Sequence, residues 1–88
     1  MKTYNGDRSW NAWNVSLWIN NDEGLYFAAV DIINDIKKKK PNWTAGRVAS
    51  RAADRYIAEV VGFDAKTPDG AKYNKLAIKL AIVDILED

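Results

Sequence analysis

The sequence predicts an all-α fold, a compact bundle of three or four helices. Three observations support this prediction: apolar residues recur at helical spacing, residues typical of helix caps separate the apolar stretches, and no two alternating stretches are present that could pair as a sheet. The 88 residues make one domain, in which an irregular N-terminal arm over 1–8 precedes the helices. The helices are expected at about 10–20, 22–39, 44–61 and 68–86.

The first of these segments, 10–20, is compatible with a helix or a strand. In a helix, Trp10, Trp13 and Leu17 share one face, and Ser9 is a suitable N-cap. In a strand, the apolar residues Trp13, Val15, Leu17 and Ile19 alternate with the polar residues Asn14, Ser16 and Asn20. We favour the helix because no second strand is visible, and a lone strand leaves its backbone hydrogen-bonding groups unsatisfied.

The second and third helices are bounded by capping residues. Asn21 is the expected N-cap of 22–39, and Pro41 prevents this helix from continuing. Its apolar stripe consists of Leu25, Ala29, Ile32, Ile33 and Ile36. Thr44 is the expected N-cap of 44–61, and Gly62 is the expected C-cap. The inner face of this third helix consists of Ala45, Val48, Ala49, Ala52, Tyr56 and Val60.

The fourth helix is expected to begin at Thr67-Pro68-Asp69 and to carry two apolar stripes. One stripe consists of Tyr73, Leu76, Leu80 and Val83, and the other, on nearly the opposite side, of Ile78, Ile82 and Ile85. A surface helix of a small domain normally has one stripe. The second stripe is therefore either internal or an interface with another chain, for which a homodimer is the commonest arrangement.

The composition argues against most enzymes and cofactors. The chain has no cysteine and no histidine, so thiolate chemistry, the commonest general base and the commonest transition-metal ligand are absent. Asp22 and Glu23 are candidate oxygen ligands for a divalent cation, but their spacing matches no calcium loop. No apolar run reaches the roughly 18 residues of a membrane span. We expect a soluble, cytoplasmic, non-enzymatic protein without a cofactor.

Exposed aromatic side chains are the first candidates for a binding site. Trp18 lies off the Trp10/Trp13/Leu17 face, and Phe27 lies on the polar side of the second helix. Together with Ile78, Ile82 and Ile85, they form a candidate protein-binding surface. The alternative is that the tryptophans pack in the core, as helix-spaced aromatic residues usually do.

A basic stripe is the second candidate. Arg47, Arg51 and Arg55 recur every four residues, and Lys38, Lys40 and Trp43 lie just before them. Basic residues beside an aromatic ring suit phosphate contacts with base stacking, which indicates nucleic-acid binding. The alternative is a solvated face with local ion pairs, such as Arg55 with Glu59. The net charge of only +1 favours this alternative.

The first part of the chain also carries a distinctive block of aromatic and polar residues: Tyr4-Asn5-Gly6, Trp13-Asn14-Val15, Leu17-Trp18-Ile19 and Asn21-Asp22-Glu23-Gly24-Leu25-Tyr26. This block resembles the N-terminal signature of small proteins of unknown function carried by bacteriophages and plasmids. Asp7 stands where they have a tryptophan, and Trp10-Asn11-Ala12 stands where they have Tyr-Glu-Thr. The resemblance covers about residues 3–26. It implies a mobile-element origin and a bacterial cytoplasm, but no established activity.

The sequence thus predicts a small phage-type accessory protein that binds a host protein as an inhibitor or adaptor. Nucleic-acid binding through the basic stripe is the alternative function.

Overall fold

The computed structural model describes residues 9–87, which form four α-helices and confirm the predicted all-α fold. These are α1 (Trp10–Asn21), α2 (Glu23–Lys39), α3 (Ala45–Tyr56) and α4 (Lys75–Glu87). A π-helical turn, Ile57–Val61, continues α3. The arm predicted over 1–8 lies outside the described residues. Between residues 9 and 87, no helix has both the length and the apolar character needed to cross a membrane.

Side-chain caps fix where the first three helices begin. Ser9 and Thr44 accept hydrogen bonds from backbone N–H groups three residues ahead, as predicted. The predicted cap of α2, Asn21, is wrong. Because α1 continues through Asn21, the chain becomes extended only at Asp22, whose carboxylate accepts the Leu25 N–H at 3.0 Å. A carboxylate at this position also interacts favourably with the helix dipole.

The core lies where α4 packs against both α1 and α3. Ile78 and Ile82 are completely buried there, so the second apolar stripe of α4 is internal. Their predicted place on a binding surface is therefore wrong. Ile85 is half-buried and packs against the same core. Leu76, from the other stripe, is instead 66% exposed.

The face of α1 that enters the core is not its tryptophan face. Its buried apolar residues are Ala12, Val15 and Ile19, whereas Trp10 and Leu17 are exposed. Packing of all the tryptophans in the core is therefore not observed. Small and β-branched residues allow α1 and α4 to approach closely, and indole rings on that side would hold them apart.

The predicted start of the fourth helix at 68 is wrong, because residues 62–74 form a structured loop. Within it, Thr67 to Gly70 make a turn closed by a hydrogen bond from the Gly70 N–H to the Thr67 carbonyl oxygen. Lys66 and Lys72 then form an isolated antiparallel β-bridge. The helix begins only after Asn74, whose side-chain oxygen accepts the N–H of Ala77 at 2.9 Å.

Hydrogen bonds to α1 explain why this loop does not become helical. The buried Asn14 amide donates to the Asp69 carboxylate at 2.9 Å and accepts from the Thr67 hydroxyl at 2.6 Å. The Trp18 indole donates to the same carboxylate oxygen. The side chain of Asn11 donates to the Lys72 carbonyl oxygen and accepts from the Lys72 N–H. These contacts hold the loop 62–74 firmly against α1.

Candidate binding surfaces

The loop 62–74 forms one side of an open cleft with a volume of about 620 Å³. The π-helical turn after α3 provides Ile57, and the loop and the first residue of α4 provide the remaining walls. We call this the Phe63 cleft; it is lined by Ile57, Phe63, Asp64, Ala65, Lys66, Lys72, Tyr73, Asn74 and Lys75.

Phe63 is 81% exposed, which is unusual for a large apolar side chain in a structured loop. Its exposure follows from the backbone on either side. The π-helical turn ends at Gly62, which has φ of 87°, and Asp64 follows with φ of 63°. Glycine adopts this left-handed region readily, and aspartate adopts it at a small cost. Both π-helical turns and strained residues occur often at functional sites.

The rim of the Phe63 cleft is positively charged. It carries Lys66, Lys72 and Lys75, and among residues 9–87 Asp64 is its only carboxylate. The Lys75 ammonium forms an ion pair with Asp54 at 3.1 Å. The ammonium groups of Lys66 and Lys72 pair with no carboxylate of residues 9–87. An anionic ligand would therefore be attracted to this rim.

A second surface surrounds Trp43, between α2 and α3. The Arg47 guanidinium lies 4.5 Å from the centre of the Trp43 ring, and the Lys40 ammonium lies 5.8 Å from it. The structure thus brings together three of the residues predicted to bind nucleic acid. The ring holds two cations by cation–π attraction, and this orients them at the surface. Arg51 is exposed beside the same ring.

Arg55 does not contribute a free charge to that surface. Its guanidinium donates to Asp35 at 2.7 Å and to Glu59 at 2.8 Å, which confirms the predicted Arg55–Glu59 pair. The hydrogen bond from Arg55 lowers the pKa of both carboxyl groups, and Lys39 also lowers that of Asp35. The predicted phosphate-binding role of Arg55 is therefore not supported by its position. Lys38 is exposed near the end of α2.

The two aromatic residues predicted to bind a protein have different environments. Trp18 is half-buried, and its indole N–H is already bonded to Asp69 at 2.9 Å. Phe27 is 54% exposed, as predicted, and its ring packs edge-on against Tyr26 with the ring centres 5.9 Å apart. The Asp22 and Glu23 carboxylates do not form part of a metal-binding group. Over residues 9–87, no three acidic side chains converge to hold a metal ion.

Phe63 was not predicted as a functional residue, because residues 63–67 are expected only as a connecting loop. A signal was nevertheless present in Gly62-Phe63-Asp64. A large apolar residue directly after a helix-ending glycine, and directly before a charged residue, has no helical face to bury it.

The fold defines a small all-α domain whose described surface offers an apolar cleft with a basic rim and a separate basic patch. Its sequence matches the model of a family of unknown function, DUF7249, over residues 1–88. The chain therefore belongs to this family. No curated protein and no solved structure is significantly similar to it.

Proposed function

We propose that this protein is a small non-enzymatic accessory protein of phage type, which binds a host protein through the Phe63 cleft as an inhibitor or adaptor. The observation that carries this proposal is the 81% exposure of Phe63 beside apolar walls. Exposed aromatic side chains next to a pocket are typical of the residues that dominate binding energy.

The energetics favour a binding role for this residue. Burying a phenyl ring against a partner contributes about 1.5–3 kcal/mol. The loop that carries Phe63 is already held by hydrogen bonds from Asn11 and Asn14. Little additional loop ordering is then needed on binding, which raises affinity. By contrast, a homodimer built on Ile78 and Ile82 is not proposed, because both side chains are inside the core.

The biological setting in this proposal rests on the resemblance of residues 3–26 to proteins carried by bacteriophages and plasmids. A protein of that origin works in the cytoplasm of a bacterial host. The surfaces described above suit contacts with a macromolecule.

Site-specific photo-crosslinking tests the proposal. A photoreactive phenylalanine analogue is placed at Phe63 or, as a matched control, at Phe27, which is also exposed but lies on α2. We expect a discrete crosslink to one host protein from position 63 and none from position 27. A crosslink only to a second copy of the chain, identical patterns at both positions, or no crosslink at position 63 would each contradict the proposal.

Nucleic-acid binding is a second candidate, supported by the cations arranged on Trp43. Arg47 is oriented by the ring, and Arg51 lies on the next turn of α3. If this surface binds phosphates, the affinity for a single-stranded oligonucleotide should fall steeply with salt concentration, and Arg51→Glu should reduce it. Lys66→Glu, on the other surface, is the control and should change it little. An affinity that does not depend on Arg51 would exclude this candidate.

A further inference from the structure

We propose that the Phe63 cleft takes an extended, acidic segment of the partner protein, whose backbone pairs with the free edge of Lys66. This inference rests on the proposed function and adds the chemical class of the ligand. It combines three separate observations: an unpaired backbone edge, an apolar wall, and a rim with more positive than negative charge.

The unpaired edge follows from the hydrogen bonds around the β-bridge. The Thr67 N–H donates to the Ala71 carbonyl oxygen, and the Tyr73 N–H donates to that of Ala65. In such an antiparallel pair, the two residues between these bonds, Lys66 and Lys72, point their own N–H and carbonyl groups away from each other. Each of them therefore presents one donor and one acceptor outward, as an edge strand does.

One of the two edges is already occupied. The Asn11 carboxamide accepts the Lys72 N–H at 2.7 Å and donates to the Lys72 carbonyl oxygen at 2.9 Å. A side-chain amide thus takes the place of a neighbouring strand. On the opposite edge, the backbone N–H and carbonyl oxygen of Lys66 make no hydrogen bond with any residue from 9 to 87. This edge can therefore accept the backbone of an added segment.

The apolar wall provides a place for side chains of that segment. Lys66 lines the cleft together with Ile57, Phe63 and Tyr73. In an extended segment, alternate side chains point to the same side. In a segment paired with Lys66, every second side chain would therefore face the side on which the phenyl ring of Phe63 lies, and an apolar side chain there could pack against the ring.

The charge of the rim favours acidic side chains at the other positions. Lys66 and Lys72 are not neutralised by carboxylates of the described chain, and a single carboxylate, Asp64, lies among them. Nucleic acid fits this site less well than a peptide. The Lys66 carbonyl oxygen needs a donor, which a peptide N–H supplies and a phosphate does not.

Selection from a library of short random peptides tests the inference. Peptides are selected for binding to the intact protein alone, and their affinities for Phe63→Ser and for the matched control Phe27→Ser are then measured. We expect selected peptides that alternate apolar residues with aspartate or glutamate. Phe63→Ser should weaken their binding at least about tenfold, because the phenyl ring no longer covers the apolar side chain of the bound peptide. Phe27→Ser should bind them like the unchanged protein.

The backbone contact has its own readout. A selected peptide should shift the amide signal of Lys66 in the nuclear magnetic resonance spectrum. Methylating the peptide nitrogen that faces the Lys66 carbonyl oxygen should weaken binding about tenfold, because that donor is lost. Lys66→Glu should also weaken it, since the charge at the rim is reversed while the backbone edge remains.

Several results would overturn the inference. The first two are the selection of basic peptides and equal affinity of the selected peptides for Phe63→Ser and the unchanged protein. The others are peptide binding that N-methylation does not affect, and an oligothymidylate that shifts the same signals. The crosslinking experiment separates this inference from the function on which it rests. If position 63 crosslinks to a host protein but the peptide results are negative, the protein-binding function stands and the extended acidic ligand is excluded. If position 63 gives no crosslink, the function fails as well.

Discussion

Replacing Asn14 with alanine tests whether the buried hydrogen-bond network holds the loop 62–74 in place. Asn14 is 2% exposed and Thr67 is 4% exposed. The Thr67 hydroxyl donates a hydrogen bond to the Asn14 side-chain oxygen at 2.6 Å. Every buried side-chain polar atom of residues 9–87 has a hydrogen-bond partner. The substitution would leave the Thr67 hydroxyl proton without its acceptor and would remove the bond to Asp69.

The expected cost combines these two losses. A buried donor without a partner costs about 1–3 kcal/mol, and the lost amide–carboxylate bond contributes about 1 kcal/mol, because solvent can replace Asn14 at Asp69. The free energy of unfolding should therefore fall by about 2–4 kcal/mol. This is a large part of the roughly 5–15 kcal/mol that a native protein has in total.

Urea denaturation followed by circular dichroism measures this change. Asn20→Ala is the matched control: Asn20 is on the same helix but is exposed, and within the described part of the chain its amide bonds only to Ser16. It should change stability by less than about 0.5 kcal/mol. Combining Asn14→Ala with Thr67→Val should give a coupling energy of about 1–2 kcal/mol. Equal effects at positions 14 and 20, or no coupling, would refute the reasoning.

Three further predictions concern the core and the ionisable groups. Ile78→Ala should lower the free energy of unfolding by about 2–5 kcal/mol, whereas Leu76→Ser should leave it nearly unchanged. The midpoints of urea unfolding measure both changes, and equal effects would contradict the burial of Ile78. The hydrogen bonds from Asn14 and Trp18 lower the pKa of Asp69. The stability that these bonds provide is present above about pH 4 and is lost as the pH falls through the folded-state pKa of Asp69. The difference in unfolding free energy between the unchanged protein and Asp69→Asn should therefore shrink in acid. A difference that persists in acid would contradict this role of the Asp69 carboxylate. Tyr56→Phe removes the phenol bond to the Leu25 carbonyl oxygen and should cost about 1 kcal/mol. Because burial raises the pKa of Tyr56, the unchanged protein should also lose stability above about pH 10, as titrated unfolding would show. If Tyr56→Phe lost stability in the same way above about pH 10, ionisation of the Tyr56 phenol would be excluded as the cause.

The proposed function gives the strained segment 57–64 a physical role. A π-helical turn and a left-handed aspartate are unfavourable in isolation, so the surrounding structure must maintain them. The hydrogen bonds from α1 stabilise the neighbouring loop, and the result is an aromatic side chain held in solvent.

The sequence predicted where the basic residues of α3 lie along the helix, but not all of their contacts. Spacing along α3 placed Arg47, Arg51 and Arg55 on one side of the helix, which is a local property. It could not show that Asp35, twenty residues earlier, would bond to Arg55. It also could not show that Trp43 would hold Arg47 at 4.5 Å. Such pairings depend on how α2 and α3 are arranged in space.

The sequence by itself determined the helical class, most helix boundaries and the caps at Ser9 and Thr44, because these depend on residues within one or two turns. Only the tertiary structure decided which stripe of α4 is buried and that Thr67-Pro68-Asp69 forms a turn instead of a helix start. The physical reason is that the alternatives are close in local free energy. Contacts with α1, more than fifty residues away in the sequence, select between them.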